Sequence, residues 1–133
     1  MHQETNLKKG SEVIVIIESL AFGGKGIARY NGIVVFVNNG IPNQKLKVLI
    51  IKKSKTYLEA KILEILSESK YYLDPICEHF KYCGGCSFQN LDYKIQIKEK
   101  TTQIKDIFNR IGGFKDFIIE PIKVCDNTYH YRN

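Results

Sequence analysis

Between residues 11 and 66 the apolar positions fall into short runs with a period of two, each stopped by turn residues. This is the signature of half-buried strands and not of helices. Residues 11–17 are rich in Val and Ile and predict a first strand. Residues 26–30 and 33–37 flank Asn31-Gly32, the dipeptide that suits a tight type I′ turn because both of its positions need positive φ. Asn38-Asn39-Gly40 and Pro42-Asn43 then break the chain. In residues 45–52, Leu46, Val48 and Ile50 alternate with Lys47, Leu49 and Ile51, so one face is buried and the other partly so. Residues 57–66 predict a fifth strand, with helix as the alternative for that segment.

Downstream the period changes. Across residues 92–111, Ile97, Ile104, Phe108 and Ile111 recur at spacings of seven, four and three, which predicts a helix ended by Gly112-Gly113 with a stripe turned to a core. The expected plan is therefore mainly β, then α+β: a five-stranded OB-like barrel, a cysteine-bearing loop and one long helix. In residue terms these are 6–66, 67–90 and 91–133.

Charge sharpens this reading. The 133 residues carry a formal net charge of +6. Residues 1–66 hold ten Lys/Arg against five Asp/Glu, while residues 67–133 hold ten against nine. A basic barrel points to a polyanion, nucleic acid before membrane, although a Lys-rich chain can also simply have a soluble basic surface. Phosphate contacts fall to Lys25, Arg29 and the run Lys52, Lys53 and Lys55, with Phe22, Phe36 or Tyr57 able to stack on bases. The turn Phe22-Gly23-Gly24-Lys25-Gly26 suits a close approach of backbone to phosphate, or is a plain connection. The lysine run reads equally as an edge strand protected against aggregation. No secretory signal or membrane-spanning stretch is visible, so a cytoplasmic address is expected, where thiols stay reduced.

In that setting Cys77, Cys83 and Cys86 read as metal ligands. Two thiolates spaced C-x-x-C converge across a tight turn, glycines between them aim backbone N–H groups at sulfur, and a third cysteine six positions earlier closes the loop. Zinc and iron–sulfur centres both accept such donors. Cys125, His79 and His130 are the remaining candidates for a fourth ligand, and a redox pair of Cys83 with Cys86 is a further option that lacks the usual strand-to-helix context.

The segment from Ser19 to Arg29 (Ser-Leu-Ala-Phe-Gly-Gly-Lys-Gly-Ile-Ala-Arg), followed by Asn31-Gly32-Ile33-Val34-Val35-Phe36-Val37, resembles the TRAM domain, an RNA-binding β-barrel of tRNA- and rRNA-modifying enzymes. It departs at Pro42-Asn43-Gln44, where that family usually has Pro-Gly-Glu. The following C-x5-C-G-G-C-x2-Q is similar to the iron–sulfur signature of TRAM-containing RNA uracil-5-methyltransferases of the large-subunit rRNA type, and Tyr129-His130-Tyr131-Arg132-Asn133 resembles a later phrase of the same family. The resemblance implies a [4Fe-4S] cluster on Cys77, Cys83 and Cys86, a fourth cysteine beyond Asn133, and RNA as partner, ribosomal before transfer. It also implies S-adenosylmethionine as methyl donor, used by a catalytic domain that this chain lacks. That chemistry needs an activated thiolate, a carboxylate and a nucleotide-binding α/β sheet, so no catalytic residue is assigned and no methyl transfer is expected of these residues alone. A freestanding zinc-stabilised RNA-binding adaptor is the alternative.

Overall fold

A computed structural model describes residues 7–131. The start of the expected barrel at Asn6, and Arg132 and Asn133 of the terminal phrase, lie outside the described residues. Six strands and one helix follow in order: β1 (Glu12–Ile16), β2 (Ser19–Leu20), β3 (Gly26–Tyr30), β4 (Ile33–Asn38), β5 (Lys45–Lys53), β6 (Tyr57–Ser67) and α1 (Tyr93–Arg110). Residues 57–66 are strand, not helix. The expectation of five strands is corrected to six, because the chain bends at Ile17-Glu18 and its continuation forms the separate strand β2.

The sheet runs β1-β5-β6-β4-β3-β2 and is open, correcting the expected closed barrel to an OB-like sheet whose two edges are not paired to each other. Those edges are nonetheless consecutive in the chain. At the bend, Ile17 N–H donates to Gln44 O at 2.9 Å and Glu18 N–H donates to Ile27 O at 2.8 Å, so one continuous segment leaves β5 and joins β3. Curvature follows from this switch and from the register shifts along β5–β6. One core fills the concave side, with Val13, Val15, Ile17, Ala28, Val35, Val37, Leu46, Val48, Ile50, Leu58 and Ala60 all buried. The period-two pattern of each strand supplies these side chains. In the β3–β4 hairpin, Asn31 and Gly32 have φ of 47° and 80°, as the type I′ turn requires.

The Pro42-Asn43-Gln44 turn keeps the left-handed backbone that glycine would supply, with Asn43 at φ 77°. Gln44, only 1% exposed, is fully used. Its Oε1 accepts from Ile41 N–H at 2.9 Å and its Nε2 donates to Glu68 Oε1 at 2.7 Å. Ser69 adds to the knot, its N–H donating to the same Glu68 oxygen at 2.8 Å and its hydroxyl donating to Pro42 O at 2.6 Å. The amide is what this chain needs, since a carboxylate at position 44 would face Glu68 at hydrogen-bond distance.

Asp92 caps α1, its side chain accepting from Lys94 N–H at 2.8 Å. The helix docks through its polar side on β2, where Glu99 Oε2 accepts from Leu20 N–H at 3.1 Å and Gln103 Nε2 donates to Leu20 O at 3.2 Å. The expected core-facing stripe is not buried: Phe108 is 47% and Ile111 83% exposed. Phe108 meets rings of the following segment, with centroids 6.0 Å from Phe114 and 5.5 Å from Phe117. Among the described residues no helix is long and apolar enough to cross a membrane.

Replacing Gln44 by Glu is expected to destabilise the protein by about 1–3 kcal/mol at neutral pH, the scale for a broken buried hydrogen bond. Urea denaturation should show this deficit shrinking on acidification, as protonation of one of the two carboxyls restores a donor.

Candidate nucleic-acid interface and cysteine segment

The convex face of β3, β4 and β6 carries the side chains that alternate with the core. Ladder register places Arg29 opposite Val34, Val34 opposite Tyr57 and Phe36 opposite Glu59. Phe36 and Tyr57 are diagonal neighbours in edge-to-face contact, with centroids 5.5 Å apart. Lys52 faces Glu59 across the β5–β6 ladder. Lys25 reaches the same carboxylate from the β2–β3 loop, Nζ to Oε1 at 3.3 Å. Four of the residues anticipated from sequence, Lys25, Phe36, Lys52 and Tyr57, thus gather around one acid, Glu59, which the charge count did not single out. Strand alternation carried the signal, since Glu59 shares a face with Tyr57.

Arg29 is paired as well, Nε lying 3.7 Å from Glu18 Oε2. Both ion pairs are partly exposed, and such pairs contribute only ~0–1 kcal/mol, so each cation can exchange its carboxylate for a stronger anion at little cost. Lys53 and Lys55 are exposed at the end of β5 and in the turn that follows. β1 covers β5 only from Lys45 to Leu49, so Lys52 and Lys53 extend past it with β6 on one side, a placement that suits edge protection as well as phosphate contact. Phe22 stands at the tip of the β2–β3 loop and is 84% exposed. That loop is closed by Ala21 N–H to Lys25 O at 2.8 Å and Gly24 N–H to Ala21 O at 3.0 Å.

The cysteine segment is a loop with a paired neck. Tyr72 bridges Leu91, Leu73 N–H donates to Asn90 O at 3.0 Å and Asp92 N–H donates to Tyr71 O at 2.9 Å. Burial first, then the hydrogen bond and charge of Asp74, hold the Tyr72 hydroxyl above its ordinary pKa, so it stays protonated at neutral pH. Gln89 ties the loop across its base, its Oε1 accepting from Cys77 N–H at 3.1 Å. Inside, Cys83 N–H donates to His79 O at 2.8 Å, and Gly85 N–H points at Cys83 Sγ at 3.4 Å, as expected for the intervening glycines.

Cys77, Cys83 and Cys86 are free thiols exposed to solvent, a soft donor set that fits zinc or an iron–sulfur cluster in kind. Among the described residues no three His, Cys, Asp or Glu side chains are drawn together around one point. Cys125 belongs to another local arrangement, with its N–H on Tyr93 Oη at 3.1 Å and its thiol on Asn127 O at 2.9 Å.

Residues 6–63 match the TRAM domain family. The chain is also similar to proteins named as uncharacterized RNA methyltransferases. One from Bacillus cereus is 34% identical over 96% of this chain and 28% of its own length. One from Synechocystis is 39% identical over 95% and 27%. A third, from Clostridium tetani, is 34% identical over 100% and 29%. The chain thus spans under a third of the length of these relatives. The sheet's Asn-Gly hairpin falls within the matched stretch, and residues 6–63 are a TRAM domain.

Proposed function

We propose that the chain is the RNA-gripping and cluster-carrying portion of an S-adenosylmethionine-dependent RNA uracil-5-methyltransferase, acting on ribosomal RNA. One observation carries this reading: the likeness to proteins named RNA methyltransferases is not confined to the TRAM domain but runs through the cysteine segment and helix, over 95–100% of the chain. A TRAM domain alone would suit many RNA-handling proteins. Its union with C-x5-C-G-G-C-x2-Q narrows the choice to the methyltransferases that the sequence resembles.

In this reading Lys25, Arg29, Lys52, Lys53 and Lys55 meet phosphates, and Phe22 stacks on an exposed base. Phe36 and Tyr57 form an aromatic platform on the convex face. Cys77, Cys83 and Cys86 would hold a [4Fe-4S] cluster, which when bound crosslinks the loop and can supply electron-transfer chemistry. The chain's own contribution is to bind RNA and present a uridine. Methyl transfer would belong to the rest of a protein of the relatives' length.

Replacing Lys25 and Arg29 together by Ala should weaken binding of single-stranded RNA and flatten its dependence on log salt concentration by roughly 0.7 for each phosphate that is no longer neutralised. Filter binding across a salt series measures both, and an unchanged affinity and slope would remove these residues from the interface. The opposite change is expected of Glu59→Gln, which releases Lys25 from its ion pair and should tighten binding. Anaerobic purification should yield a brown protein whose colour and iron are lost in Cys83→Ser. A colourless protein with stoichiometric zinc would favour the adaptor instead.

A further inference from the structure

The β2–β3 loop is short, carries two adjacent glycines at positive φ, Gly23 at 94° and Gly24 at 98°, and exposes its aromatic tip. Left to itself such a loop would sample many shapes. It is held from outside the TRAM domain at two points. At its base, Glu99 accepts from Leu20 N–H at 3.1 Å, while Gln103 Nε2 donates to Leu20 O at 3.2 Å and to Ala21 O at 3.4 Å. One turn of α1 thereby supplies both a donor and an acceptor to β2, as a neighbouring strand would.

Near the tip, Gly24 lies against the ring of Phe88. A Cβ at position 24 would sit 3.2 Å from Phe88 Cζ and 3.7 Å from Ser87 Cβ. Phe88 is fixed in turn. It packs on the small cluster of Leu20, Ile41 and Leu91, and its carbonyl accepts from Gln96 Nε2 at 3.0 Å. It also stands two residues after Cys86, so the cysteine segment ends against the loop.

We propose that the RNA-contact surface is shared between the two halves of the chain, with Phe88, Glu99 and Gln103 acting as positioning residues that hold the β2–β3 loop in the shape that offers Phe22 and Lys25 to unpaired RNA. This rests on the RNA-binding reading given above and extends it to residues that touch no RNA. The partner is a single strand, because an aromatic ring at a loop tip stacks on a base only when that base is free of its own pairing. Holding the loop in advance removes an ordering cost that binding would otherwise bear. The three residues therefore act on affinity without contributing positive charge.

The test uses the whole chain, a short labelled oligouridine and the same RNA in a duplex, read by fluorescence anisotropy across a salt series. Phe22→Ala should weaken single-strand binding by about ten-fold or more, as loss of one stacked base does, and leave duplex binding nearly unchanged. Phe88→Leu, which keeps apolar volume in the cluster but removes the ring from Gly24, and Gln103→Ala should each weaken it by roughly three- to ten-fold with the salt slope unchanged, as loss of preorganisation predicts. Glu99→Gln keeps an acceptor for Leu20 N–H and Glu99→Ala does not, yet both lack the charge. The former should bind more tightly, and only the latter should speed hydrogen exchange at the Leu20 amide.

If Leu20 exchanges faster in Glu99→Ala and affinity still equals that of Glu99→Gln, and Phe88→Leu and Gln103→Ala bind like the parent while Phe22→Ala does not, the positioning role is overturned and the RNA surface stands. If Phe22→Ala and the Lys25 and Arg29 variants also bind like the parent, the RNA surface itself is refuted.

Discussion

An open sheet has edges, and the backbone groups along an edge must find partners or be left to water and to other chains. In this protein the edge at β2 is two residues long, and its partner is a helix. Glu99 and Gln103 sit four residues apart on one face of α1, the spacing that places two side chains side by side, and together they present an acceptor and a donor at the separation β2 requires. Much else depends on this contact. It fixes α1 against the TRAM domain, fixes the base of the β2–β3 loop and buries Leu20, which with Ile41 and Leu91 makes the small second core. Hydrophobic burial alone would not hold α1 there, since no residue of the helix is fully buried.

The convex face shows the same economy in its charges. A net positive chain need not present free cations, and here Lys25 and Arg29 each rest on a carboxylate while remaining about half exposed. In water an ion pair of that kind is nearly neutral in free energy. Its effect is to keep the side chains extended along the sheet without binding them firmly. A phosphate arriving with its displaced counterions offers a larger gain, so the pairs act as parking places. Glu59, placed between Phe36, Lys25 and Lys52, then sets how strongly the surface attracts a polyanion.

What the sequence made legible was local. Alternation at Leu46, Val48 and Ile50 gave the buried face of β5, Asn31-Gly32 gave the hairpin, and the apolar period over residues 92–111 with Gly112-Gly113 gave both ends of α1 to within a residue. Features decided by distant partners were not legible. Ser19-Leu20 has no strand signal of its own and becomes β2 only because β3 pairs with it on one side and α1 caps the other. Gln44 looks like an ordinary polar turn residue until Glu68 arrives opposite it. Periodicity in α1 marked an apolar face correctly but could not say what would cover it, and in this chain Phe114 and Phe117 cover it only in part.

The second half has little apolar material with which to hold itself. Leu91 is its one fully buried hydrophobic residue among those described, and the rest of its small core is borrowed from the TRAM domain. Its order rests on directional contacts: the neck from Tyr71 to Leu73, Gln89 on Cys77, and Gln96 on the carbonyls of Phe88 and Leu91. Segments this poor in core are commonly stapled by a metal or by another domain. Three exposed thiols on a loop already tied at its base by Gln89 are suited to such a staple, because closing them around a metal costs less chain entropy than it would in a free loop. Since Phe88 follows that loop directly and lies on Gly24, any staple formed there would also stiffen the surface that carries Phe22.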